Sequence, residues 1–518
     1  MKIDEHSNKC TRQQHCQSSI ICCRSLATAR VNCQLIAFLF ILFSSILTPG
    51  LKSQSLPDAD SLAIILKRTL RYLEENQQNQ TINGYEYAGE WPAMISMRTA
   101  FMMLANPPDT YDSNCFSISA IHNSLASVYL LDPENGERIP AMLEKSFHRI
   151  MSYHNDGSFN FWPLLPPHGR HSMFTRNKKG AMVRRPIQFP LSNPYVRKSA
   201  NICNDNDDTA QSFMSLWYLL KVRAACGNPD SLFELPRIDR VFDKYTDSAR
   251  LSAHYYNVVA RDKRHSGAFL TWRAQEKNFP TWNIPKLMVN NALFLFPVSS
   301  VFPRPFTPYM PFWANDVDAV LNANVMSVLS AYGQDGSSKG FPHAAEFITS
   351  KLRRKKWSRA GVYYPNRFHI HYAAMRAYEK NHAYLDEAAA LIKAHLKESQ
   401  QPDGSYHSRR IVNKGDVLQS TAYALSAILR YGNPDKTGFR KEADAALRYI
   451  LNQAYGHGTG LCWEGGVFFS GGTVIRNTFY WKSDSYTTAL LLEALTIYRK
   501  YMLENETLSG RSSKTVKQ

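Results

Sequence analysis

Residues 385–432 read LDEAAALIKAHLKESQ, then QPDGSYHSRRIVNKG, then DVLQSTAYALSAILRYG. In the first segment Leu385, Ala388, Ala389, Ile392 and Leu396 recur at three- and four-residue steps while charged side chains fill the rest, which is the pattern of a helix with one wet face. Asp403-Gly404 marks a tight turn. The third segment is built from Ala, Ser, Thr and Leu and carries almost no charge beyond its first turn. A helix apolar nearly all round belongs inside, so the stretch reads as an outer helix, an aromatic turn and an inner helix.

The same alternation extends in both directions. Outer-type helices are expected near residues 60, 140, 236, 342, 385 and 439. Inner-type helices follow at Asp112, Asp207, Asp316, His369, Asp416 and Asp484, the one at 369–378 being the least regular. Gly- and aromatic-containing loops join each outer helix to the next inner one, as in Asp156-Gly-Ser-Phe-Asn-Phe-Trp162, Ser266-Gly-Ala-Phe-Leu-Thr-Trp272 and Gly460-Leu-Cys-Trp463. Helix pairs repeating at this period predict a solenoid or a closed ring, and six pairs favour closure. The expected fold is all-α, an (α/α)6 toroid over residues 56–503.

In such a ring the inner helices run the same way, and their amino ends share one rim with the aromatic loops. Asp112, Asp207, Asp316, Asp416 and Asp484 open five of them. Helix capping explains acids at that position, above all for Asp112, Asp416 and Asp484. A rim that gathers acids, aromatics and helix ends is also where a binding cavity belongs.

The densest acidic cluster is Asn204-Asp205-Asn206-Asp207-Asp208-Thr209-Ala210. Three carboxylates in four residues repel, so in a dry cavity at least one retains its proton near neutral pH. Such an acid suits protonation of an olefin or epoxide. The cation formed needs an aromatic wall that excludes water. Phe161, Trp162, Trp272, Trp313, Tyr364, Trp463 and Trp481 are the loop residues expected to line it. The run Asp205-x-Asp207-Asp208-Thr-Ala resembles the DxDD-T-A motif of class II terpene cyclases of the squalene-hopene type. Gln400-Gln-Pro-Asp-Gly-Ser-Tyr406 resembles the QW repeat of that superfamily, with Tyr in place of Trp. This resemblance to the terpenoid cyclase and protein prenyltransferase superfamily implies a single-ring toroid in which Asp207 donates the proton and Asp205 and Asp208 tune it.

A second cluster supports a different chemistry. In Asn315-Asp316-Val-Asp318-Ala-Val-Leu-Asn322-Ala-Asn324, Asp318 and Asn322 share a helix face, and Asp316 lies within a turn. Carboxylates facing each other across a cavity are what glycoside hydrolases use. Glu86, Glu90 and Glu464 are further candidate acids, and a polysaccharide hydrolase or lyase stays open. A third reading is a non-catalytic toroid whose aromatics bind a glycan or lipid. His369 and His371 sit in a helical block where their spacing splits the faces, no zinc set can be matched and no cofactor is expected, while a divalent ion at Asp205, Asp207, Asp208 and Asp316 stays open.

The composition excludes wholesale disorder: of 518 residues 44% are hydrophobic and 20% charged. Lys and Arg exceed acids by 61 to 43, a formal charge of +18, yet no nucleic-acid motif accompanies the basic clusters. The expected partner is a small isoprenoid or a glycan, with association at a membrane surface open; oligomeric state is not legible. Residues 1–55 combine Lys2, Lys9, Arg12, Arg24 and Arg30 with the apolar run LIAFLFILFSSIL at 35–47, too short to span a bilayer comfortably but suited to a signal peptide or anchor. Export to a periplasmic or extracellular space is expected. Cys115, Cys203, Cys226 and Cys462 follow that leader and allow one or two disulfides. Residues 504–518 read as a disordered tail.

Overall fold

The computed structural model describes residues 56–82, 84–97, 109–166, 182–187, 201–227, 235–249, 266–274, 315–408, 415–471 and 479–515. The leader expected at 1–55 lies outside them, as does Trp313. Helices alternate along the chain as the periodicity predicts. The outer series is α1 (Ala59–Glu75), α3 (Ile139–Met151), α5 (Asp239–Asp243), α7 (Phe341–Arg353), α9 (His382–Ser399) and α11 (Arg440–Asn452). The inner series is α2 (Cys115–Leu131), α4 (Asn206–Ala225), α6 (Ala319–Ala331), α8 (His369–Lys380), α10 (Gly415–Tyr431) and α12 (Asp484–Thr515).

Each inner helix packs on the next, α2 on α4, α4 on α6, and so on to α10 on α12, and α12 returns to α2. The ring is closed, and the chain forms an (α/α)6 toroid. Its inner wall follows from composition. Along α6 every residue from Ala319 to Leu329 is buried, because Ala, Val, Leu, Ser and Asn let neighbouring backbones approach on all sides. Outer helices bury one stripe, as in α1 with Leu62, Leu66, Leu70 and Leu73 inward.

The turns lock outer helices together. Gln400 Nε2 donates to Glu442 O at 2.8 Å and so ties the end of α9 to the start of α11. Gly404, at φ +89°, passes so close to α11 that a Cβ there would lie 2.2 Å from Ala445 O; only glycine fits. A small antiparallel sheet joins the first and last repeats. It runs in the order β3 (Val467–Gly471), β4 (Phe479–Lys482), β1 (Met94–Met97), β2 (Thr110–Tyr111), taking β1 and β2 in chain order first. Tyr480 pairs with Ser96 and Trp481 with Ile95.

Three expectations change. The third outer helix is only Asp239–Asp243, held by Gln334 Oε1, which accepts from Ile238 N and Asp239 N. The tail predicted at 504–518 is helical as far as Thr515, since α12 is already nucleated and Asn505 anchors it to Asn433 and Asp435. Cys115, Cys203, Cys226 and Cys462 are free thiols rather than disulfide partners. Among the described residues no helix is long and apolar enough to cross a membrane.

Candidate active site

The three acids at the start of α4 have separate surroundings. Asp205 is the N-cap: its Oδ1 accepts from Asp207 N at 2.9 Å and Asp208 N at 2.7 Å. Asp208 is hydrogen-bonded to Asp205, and burial, reinforced by the Asp205 charge, holds its carboxyl well above the usual range. Asp208 therefore supplies the proton of that pair, while its Oδ1 is buried without a partner. Burial also raises Asp205.

Asp207 is placed differently. Its Oδ1 accepts from Asn324 Nδ2 of α6 at 2.8 Å. Burial pushes its carboxyl well above the carboxylate range; the Asn324 bond and the Arg376 charge oppose this, and the charges of Asp205 and Asp318 add to it. Asn324 in turn lines a narrow channel between the inner helices, together with Phe116 and Ser124 of α2, Gln211 of α4, His369, Tyr372 and Arg376 of α8, and Tyr486 of α12. The channel has room for about one water molecule.

Aromatic side chains cover the amino-terminal mouth. Phe469 of β3 lies 5.2 Å from Phe161, 5.3 Å from Trp481 and 5.7 Å from Tyr364, centroid to centroid. Phe468 stacks on Tyr486 at 4.5 Å and Phe116 at 5.9 Å, which carries the cover down to the channel wall. Ser470 N donates to Tyr363 O at 2.8 Å and pins β3 across the mouth. Trp272 joins at the edge, its indole donating to Tyr363 Oη at 3.2 Å. Of the aromatics singled out in the sequence, Phe161, Trp162, Trp272, Tyr364 and Trp481 thus meet in one cluster.

Other sequence-derived candidates are occupied elsewhere. Trp463 is fully buried with its indole donating to Ile450 O of α11 at 2.8 Å, so it holds an outer helix and no ligand can reach it. Asp318 accepts four backbone amides, those of Val320, Leu321, Val362 and Tyr363, which caps α6 and clamps the following loop. Asn322 grips Phe269 through N and O. Asp316 is bonded by Thr271 and, at 2.7 Å, by Tyr363 Oη. All three serve the frame of the rim rather than a substrate. Glu90 is bound to Arg149, Glu464 is exposed, and the side chain of Glu86 lies outside the described residues.

Asp112 is not a helix cap, contrary to expectation; Asn114 takes that place. Asp112 instead accepts the indole N–H groups of Trp162 at 3.1 Å and Trp481 at 2.6 Å, and burial lifts its carboxyl to about 7. His369 and His371 do face apart. His369 lines the channel, whereas His371 bonds His395 at 2.8 Å beneath Trp357. No group of three metal-ligating side chains occurs among the described residues.

Sequence reasoning missed Gln211, Tyr372, Arg376 and Tyr486. The signal was available: Asp207 and Gln211, or His369, Tyr372 and Arg376, are polar positions at helical spacing on inner helices.

No protein-family model matches the sequence, and no curated protein matches it. Solved structures are similar in fold. A variant of the type II terpene cyclase MstE from Scytonema, bound to geranylgeranyl dihydroxybenzoate, is 12% identical and superposes with a TM-score of 0.46 over 86% of this chain and 99% of that one. A protein from Actinoplanes is 13% identical, with a TM-score of 0.46 over 84% and 99% of the two chains. Cellobiose 2-epimerase from Bacillus thermoamylovorans is 9% identical, with a TM-score of 0.44 over 84% and 99%.

Proposed function

We propose that the protein is an acid catalyst in which Asp207 protonates an apolar, isoprenoid-type alkene. The observation that carries this reading is the state of that one carboxyl. It is buried, burial holds it well above the usual carboxylate range, its Oδ1 takes the Asn324 amide, and its other oxygen has no partner among the described residues. In the proposed step the O–H bond of Asp207 breaks, the alkene π pair forms the new C–H bond, and a tertiary carbocation and a carboxylate result. The carboxylate keeps the Asn324 hydrogen bond and faces the Arg376 charge. The cation finds the ring faces of Phe116, Phe468 and Tyr486. Because the channel now admits about one water, an isoprenoid gains admission only when β3 withdraws Phe468 and Phe469 from the mouth.

Two facing catalytic carboxylates, which a glycosidase needs, are poorly supported. Asp318 is saturated by four amides, and Glu464 points to solvent. The basic leader and the apolar run at 35–47 support export.

Asp207→Asn tests the reading with polyprenyl substrates. Loss of roughly a hundredfold or more in turnover, with the substrate still bound, is the expected result. Unchanged turnover removes Asp207 as the donor, and release of reducing ends from polysaccharides turns the assignment to sugar chemistry.

A further inference from the structure

Arg376 lies on the channel face of α8 and is 8% exposed. Its guanidinium makes no hydrogen bond and no ion pair with any described residue. Its Cζ lies over the Tyr372 ring, 5.3 Å from the centroid. A buried guanidinium has five donors to satisfy, and leaving them unmet is costly.

The acids nearby are already taken. Glu493 Oε1 accepts from Arg430 at 2.5 Å and Oε2 from Ser124 at 3.3 Å, while Glu379 also binds Arg430. Two carboxylates, Glu379 and Glu493, thus face three cations, Arg376, Lys380 and Arg430. Neither carboxylate bonds Arg376. A fully buried atom in the channel lacks a partner as well: the Nδ1 of His369, whose ring is hydrogen-bonded to the backbone of Phe468.

We propose that the central channel is an anion site in which Arg376 receives the carboxylate of an organic acid. The planar fork of an unbonded guanidinium matches the two oxygens of a carboxylate. A phosphate dianion would need a second cation in the channel; Arg430 is committed to Glu379 and Glu493, and Lys380 lies over Trp217, outside the channel lining. The ligand enters on the same withdrawal of Phe468 and Phe469 from the mouth that an isoprenoid needs; its carboxylate then replaces the channel water and its apolar body lies along Phe116 and Leu490. His369 Nδ1 accepts a hydroxyl or amide donor of the same ligand. If Asp207 is the proton donor argued above, this acid is the substrate, anchored at Arg376 with its reactive end beside Asp207; the anion site itself does not depend on that reading.

The test is thermal unfolding of the full chain against octanoate and against inorganic phosphate at constant ionic strength. Octanoate is expected to raise the midpoint saturably, with apparent affinity at least about tenfold weaker in Arg376→Gln. Ala120→Leu fills the channel without touching any charge and is expected to abolish the same shift, which covers a failure of Arg376→Gln to fold. Asp207→Asn is expected to keep the shift, so failure of the proton donor and failure of the anion site read out separately. No saturable shift in the wild type, or a shift that survives both channel variants, overturns the proposal and leaves Arg376 as a counter-charge to Glu493. A larger shift with phosphate than with octanoate overturns the carboxylate assignment.

Discussion

Asp207 and Asp208 are neighbours in the chain, yet one reaches across to α6 and the other back to Asp205. Their identities were legible in the sequence and their roles were not, because a role here is a matter of which oxygen meets which donor. The same holds for buried histidines. His122 lies between Ser146 Oγ at 2.9 Å and Ser215 O at 3.2 Å, and burial lowers its imidazole to about 3. The unfolded chain takes up that proton as the pH falls below 6.5, while the native protein refuses it until about 3. His122 therefore contributes stability that is full above 6.5 and lost progressively on acidification. His122→Gln is expected to flatten the fall of unfolding free energy between pH 6 and 4 by up to about 1.4 kcal/mol per pH unit, checked by urea titrations across that range.

At the scale of elements, the amino-terminal turns of the inner helices follow a rule the sequence half disclosed. In four of them a polar side chain three to six residues past the helix start accepts the backbone amide of the aromatic in the preceding loop. Thr209 takes Phe159 N at 3.1 Å, Asn322 takes Phe269 N at 2.9 Å, Thr421 takes Tyr406 N at 3.0 Å and Thr488 takes Trp463 N at 3.2 Å. The threonine in Asp207-Asp208-Thr209-Ala210 is thus a clamp of the repeat, whatever chemistry the acids perform. Thr209→Val leaves the Phe159 amide unpaired and is expected to cost about 1–3 kcal/mol, with Thr209→Ser recovering most of it in equilibrium denaturation. Periodicity found the helices well because the apolar spacing of an amphipathic helix is local. It overestimated the third outer helix, where Gln334 from a later loop holds the backbone of Ile238 and Asp239.

For the whole molecule the decisive fact is closure. Arg430 of α10 bonds Glu379 of α8 and Glu493 of α12, so one buried guanidinium spans three consecutive inner helices. Glu493→Gln removes one of its two counter-charges and is expected to lower stability by about 3 kcal/mol, measured by denaturant unfolding. The sheet that pairs β1 with β4 ties the first repeat to the last and sets Trp481 against Asp112 and Phe469 over the channel. By itself the sequence determined the alternation of wet and dry helices, the number of pairs and the acid cluster at the start of α4, since these follow from spacing and composition within a few turns. Tertiary structure alone decided that Asp207 meets Asn324, 117 residues further along, that Asp318 and Trp463 are bound into the frame, and that Arg376 stands in the channel without a partner. Burial and hydrogen-bond partners depend on chain segments that only the closed ring brings together.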